Sequence, residues 1–104
     1  MTIKDRRLKL SEMLHDILGS NNIYYDPPES VKLVYPAIIY TRAKIDTRRA
    51  DNQMYLHHDR YEVTYIRKAN DDGIVDKILL LPYCSHDRNF TADDMTHDTF
   101  TIYV

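Results

Sequence analysis

Residues 1–104 are expected to form a single α+β domain. In it, two helices pack on one face of a largely antiparallel sheet of four or five strands built around a long central hairpin. Three observations point there. Two segments place apolar residues three and four apart, the helical spacing. Two longer runs alternate apolar and polar residues, as half-buried strands do. A chain of 104 residues leaves room for one core.

The first helix carries Leu10, Met13, Leu14, Ile17 and Leu18 on one face, with Lys4, Asp5, Arg6, Arg7, Lys9, Glu12 and Asp16 around the rest. Gly19 stands where a left-handed cap would end it, and Ser20-Asn21-Asn22 continues the stop. Ile23-Tyr24-Tyr25 reads as a short strand closed by Asp26-Pro27-Pro28. The prolines remove backbone donors and fix φ, so residues 26–36 should form an ordered, irregular connection. A long strand follows over residues 37–47, with Ile39, Thr41, Ala43 and Ile45 on one face and Tyr40, Arg42, Lys44 and Asp46 on the other. After the turn signal Asp51-Asn52, a second strand runs from about Tyr55 to Lys68 and pairs with the first as an antiparallel hairpin. Its tip, residues 46–54, has little apolar side chain beyond Met54 and is expected to order only against a partner.

Asn70-Asp71-Asp72-Gly73 is a turn whose aspartates can cap the next helix, Ile74 to Leu81, and Pro82 stops that helix. Two short strands close the chain, near Arg88 to Thr91 and Thr99 to Val104. Phe100, Ile102 and Val104 point one way; Thr99, Thr101 and Tyr103 point the other.

Composition excludes several classes of function. Two glycines cannot build a Gly-rich phosphate loop. The longest apolar run, Ile78-Leu79-Leu80-Leu81, is far short of the roughly 20 residues that cross a bilayer, so no membrane partner is expected. One cysteine excludes an internal disulfide framework and fits a reducing compartment. A formal charge of −2 does not suit a general polyanion binder. Arg42, Lys44, Arg48 and Arg49 cluster on the outer face and tip of the hairpin beside Tyr40 and Tyr55, but Asp46 and Asp51 interrupt them. Specific nucleic-acid binding is therefore not expected.

The chemical candidates are histidine–aspartate pairs: His15-Asp16, His58-Asp59, His86-Asp87 and His97-Asp98. Imidazole and carboxylate are ligands of catalytic divalent metals, so a small metal-dependent phosphohydrolase is the alternative function. Neighbouring strand residues point to opposite faces, however, and a strand-borne pair cannot chelate one ion. Cys84 lacks the helix N-terminus or basic cluster that activates a thiol. Asp93-Asp94 reads as a turn. No active site, metal or cofactor follows.

Nine tyrosines, mostly in strands, suggest protein interfaces, since a sheet face covered by helices cannot absorb them all. Charge is also divided. Residues 1–52 hold nine basic and seven acidic side chains, and residues 53–104 hold five and nine. Unlike-charged surfaces suit a head-to-tail contact. The expected contact joins the acidic stretch with Asp87, Asp93, Asp94 and Asp98 to Arg42, Lys44, Arg48 and Arg49 of a neighbouring copy.

The second half resembles small tail proteins of long-tailed bacteriophages and prophages, known as minor tail, tail completion or tail terminator proteins. The resemblance is carried by Arg60-Tyr61-Glu62-Val63-Thr64-Tyr65-Ile66, Asp76-Lys77-Ile78-Leu79-Leu80-Leu81-Pro82, Ser85-His86-Asp87-Arg88-Asn89-Phe90, Asp93-Asp94-Met95-Thr96-His97-Asp98 and Phe100-Thr101-Ile102-Tyr103-Val104. The layout of the first half agrees, with its N-terminal helix, Pro27-Pro28 and Tyr35-Pro36-Ala37-Ile38-Ile39-Tyr40 before the hairpin. The resemblance implies a non-enzymatic virion protein of the tail–neck region, made in the bacterial cytoplasm. Such a protein forms a ring, commonly of six subunits, that caps the tail tube, ends its polymerisation and joins the tail to the head connector. Its partners would be itself, the tail tube protein and the head–tail connector protein.

Overall fold

A computed structural model describes residues 2–43, 59–68 and 72–104. Its elements run α1 (Ile3–Leu18), β1 (Ile23–Tyr25), β2 (Ala37–Arg42), β3 (Arg60–Arg67), α2 (Asp72–Leu79), β4 (Cys84–Ala92) and β5 (Met95–Tyr103). The five strands form one sheet in the order β1-β2-β3-β5-β4. Only β1 and β2 are parallel, and every other neighbouring pair is antiparallel. This is the α+β architecture expected.

Local signals explain α1 at both ends. Thr2 Oγ1 accepts from the Asp5 amide at 3.1 Å while the Thr2 amide donates to Asp5 Oδ2 at 3.1 Å, a reciprocal cap. The Thr2 amide, helped by the Thr2 side chain, holds the Asp5 carboxyl below its ordinary pKa. Gly19, at φ 74°, ends the helix by donating to the His15 carbonyl at 2.8 Å. α2 ends at Leu79, two residues before the expected Leu81, because Pro82 disfavours helical backbone in the residue before it.

Both helices cover the same face. Leu10 and Leu14 of α1 and Ile78 of α2 share one cluster with Ile38, Tyr40, Tyr61, Val63, Tyr65, Phe100 and Ile102. Three tyrosines, Tyr40, Tyr61 and Tyr65, are thus core residues. That corrects one expectation: the Tyr40 side of β2 is the helix-covered face, not the outer one. The two inward rows of β3 and β5 absorb the rings, with Val63 opposite Phe100 and Tyr61 opposite Ile102. Tyr25 and Tyr83 are exposed, while Tyr24, Tyr35 and Tyr103 are half-buried.

The C-terminal strands are longer than expected, nine residues each. Asp93 and Asp94 both adopt left-handed backbone, at φ 52° and 61°, and form a two-residue hairpin turn that lets pairing run to the tip. The expectation failed at Ser85–Asn89 because those residues lie exposed on the edge strand, where nothing demands alternation. A β-bulge interrupts the register between His86 and Arg88. The strand continuations expected over 43–47 and 55–59, the tip at 46–54 and the Asn70-Asp71 cap lie largely outside the described residues.

The fold makes two stability predictions. Leu14→Ala, at a fully buried contact between α1 and the sheet, should cost about 2–5 kcal/mol in urea unfolding. Gly19→Ala should cost about 1 kcal/mol, since the position has open space but left-handed backbone.

Candidate functional site

The eight residues expected at an interface fall into three groups. Arg42 is exposed at the end of β2, and Lys44, Arg48 and Arg49 lie outside the described residues. Asp87, Asp93 and Asp94 are exposed, with Asp87 at the β4 bulge accepting from Thr101 Oγ1 at 2.6 Å. Asp98 is different. It is 3% exposed, and its carboxylate is fully engaged.

Asp98 is the centre of a polar cluster on the helix-covered face. The Arg67 guanidinium bonds its Oδ2, while His86 Nε2–H and Asn89 Nδ2 donate to Oδ1 at 2.8 and 2.9 Å. The register explains this convergence. Asp98 pairs with Tyr65, two residues before Arg67, and with Asn89 across β4. Burial would raise its pKa, but the donors of Asn89, His86 and Arg67 outweigh burial and hold the carboxyl below its ordinary range. Asp98 is therefore withdrawn from the interface set. Its charge is neutralised inside the molecule.

The histidine–aspartate pairs do not act as neighbours. His86 bonds Asp98 rather than Asp87, His97 Nδ1–H donates to the Met95 carbonyl at 3.1 Å, and His15 Nδ1–H donates to the Ser20 carbonyl at 3.1 Å. His58 lies outside the described residues, while Asp59 accepts from Arg6 Nε at 2.9 Å and ties α1 to the start of β3. Among the described residues no three His, Cys, Asp or Glu side chains converge as metal ligands. Burial, reinforced by Asp87, pushes the Cys84 thiol up to about 11, so it is protonated at neutral pH. No helix among the described residues is long and apolar enough to cross a membrane.

Charges of both signs lie at each end of the strands: exposed Lys68 follows β3 at the Asp93-Asp94 end, and exposed Glu62 lies beside Arg60 at the Arg42 end. Asp93 and Asp94 project beyond the paired ends of β4 and β5, the end at which β3 finishes. Arg42 lies opposite Tyr61, and Tyr61 opposite Ile102, at the other end of the sheet beside Arg60. From Ile102 back to Asp94 the chain covers roughly 26 Å at about 3.3 Å per residue. That exceeds the screening length of about 8 Å at physiological salt. The acidic tip and Arg42 therefore do not neutralise each other within one molecule.

Sequence reasoning missed Arg67, the partner that buries Asp98. Its parity with Tyr61, Val63 and Tyr65 was the available signal. It also missed an apolar groove of about 120 Å³ beside the end of β5, lined by Met13, Tyr83, Ile102, Val104 and the stem of Lys9. That groove joins α1 to the last strand and has no local sequence signature.

Asp98→Asn should cost about 3–5 kcal/mol in urea unfolding, because Arg67 stays buried and charged while its ion pair with Asp98 is lost. The pH sign follows from the lowered pKa. Asp98 contributes stability above the ordinary aspartate value near 3.8, and this is lost as pH falls through its lower folded value. The Asn variant should lack that acid-side loss. Asp93→Asn with Asp94→Asn, which keeps side chains tolerant of left-handed backbone, should leave the melting temperature within about 2–4 °C.

Compared with family models, curated proteins and solved structures, the chain gives no match.

Proposed function

We propose that this chain is a non-enzymatic structural subunit of a long-tailed phage virion. It forms a cyclic oligomer of six subunits that caps the tail tube, stops its polymerisation and meets the head–tail connector. The observation that carries this reading is the separation of Asp93-Asp94 from Arg42 and Arg60 at opposite ends of one sheet. Unlike surfaces at two ends suit head-to-tail association, which closes into a ring where the rotation per subunit permits. A second observation supports it. Residues 60–68 and 72–104, within the stretch that carries the resemblance most specifically, supply β3, α2, β4 and β5, with the three strands adjacent in the sheet.

The acidic tip of one subunit meets the Arg42 end of the next. Exposed ion pairs of this kind add little stability singly, but several together make association salt-sensitive. Averaged electron micrographs of concentrated protein, and of isolated tails to which it has been added, test the reading. Sixfold rings are the expected result. Compact twofold dimers or monomers alone in both settings overturn it.

A further inference from the structure

Resting on that head-to-tail reading, we propose that the Arg42 end of the helix-covered face is a carboxylate-binding site, occupied by the Asp93-Asp94 tip of a second copy of this chain. The juxtaposition behind it is a buried phenol, Tyr61, set beside the guanidinium groups of Arg42 and Arg7.

Tyr61 opposes Arg42 across β2 and β3, and Tyr25 opposes Tyr40 across β1 and β2. Arg42 has the same parity as Tyr40, so both stand on the helix-covered face. The Tyr25 and Tyr40 rings lie 5.0 Å apart, and those of Tyr40 and Tyr61 lie 6.1 Å apart. The Arg7 guanidinium, from α1, sits 4.6 Å over the Tyr25 ring. This row of rings runs from exposed Tyr25 inward to fully buried Tyr61.

The Tyr61 hydroxyl has no hydrogen-bond partner among the described residues. An unpaired buried hydroxyl is unfavourable, and phenylalanine would fill the same space without that penalty. Burial, reinforced by Asp59, raises the phenol's pKa, so the group is a proton donor at neutral pH. The charged groups acting on it are Asp59, Arg42 and Arg7. Asp59 is taken by Arg6 Nε at 2.9 Å, whereas Arg7 and Arg42 form no ion pair among the described residues. One O–H donor and two guanidinium groups remain, and that donor set suits a carboxylate.

Sign and face select the occupant. Glu62 lies on the opposite face of β3 by parity, so it does not offset this patch. The chain's own acidic tip lies at the far end of the strands, so it reaches the site only from another molecule. Asp93 and Asp94 are exposed and held in left-handed backbone at the tight turn between β4 and β5. Carboxylates on such a fixed turn give up little conformational freedom when they dock. Tip and patch are unlike surfaces, so the contact runs head to tail.

Association of the full chain at low salt tests the site, by sedimentation equilibrium or, where the free chain is monomeric, by binding to isolated tails. Tyr61→Phe should weaken it about tenfold, the loss of one hydrogen bond to a charged acceptor, with the melting temperature unchanged or raised. Asp93→Asn with Asp94→Asn should also weaken it. Adding Tyr61→Phe to that pair should cost little more, because the hydroxyl's acceptor has already lost its charge. Fully additive losses would mean that another group fills the site, and overturn the tip as occupant. A lowered melting temperature in Tyr61→Phe with unchanged association would mean that the hydroxyl is partnered inside the molecule, and overturns the site. Sixfold rings that form with wild-type affinity in every variant overturn the site and leave the ring reading intact. Coupled losses in dimers or open chains that never close uphold the contact and overturn the ring. A wild-type chain that neither self-associates nor forms rings on tails overturns both.

Discussion

Burial on one face of the sheet is the constraint from which the rest of the molecule follows. β3 is the middle strand, and its odd-numbered residues Tyr61, Val63 and Tyr65 lie under the helices while Arg60 and Glu62 stay in water. A slip of one residue would exchange those sets, so the register with β2 and β5 is strongly specified. That register decides where Asp98 falls. Because it shares a row with Tyr65, it is carried inward, and Arg67, His86 and Asn89 make its burial tolerable. An isolated carboxylate at that depth would be protonated or unfold the subunit.

The cluster also changes how the acidic C-terminal stretch is understood. Counted along the chain, Asp98 adds to Asp87, Asp93 and Asp94. In space it belongs to Arg67. What remains outside is more localised: a two-residue tip, with Asp87 held by Thr101 at the bulge. A docking surface with its charge at one tip is directional in a way that a diffuse acidic stretch is not. This is the property a head-to-tail contact requires.

Local signals were legible where chemistry acts over a few residues. Gly19 ends α1, Pro27 and Pro28 mark the irregular connection, and alternation from Tyr61 to Tyr65 marks β3. Legibility failed where the deciding partner is distant in sequence. Nothing near Tyr40 says which face the helices cover; Leu10, Leu14 and Ile78 decide it from other segments. Asp98 reads as a surface residue of the acidic stretch because its neighbours Thr96, His97 and Thr99 are polar, and the residue that buries it lies 31 positions away. The parallel pairing of β1 on β2 was similarly hidden, since it depends on how residues 26–36 return along the sheet.

The bulge in β4 bears on how the free protein avoids pairing through its open edge. β4 is the longer of the sheet's two edge strands, and a straight nine-residue edge would template pairing with any other extended chain. Here the ladder is broken between His86 and Arg88, and the run from Ser85 to Asn89 is exposed and polar. Irregular hydrogen-bond spacing and a strand of side chains that favour water make that edge a poor template. The open backbone of this edge therefore contributes little to growth of sheet upon sheet at high concentration.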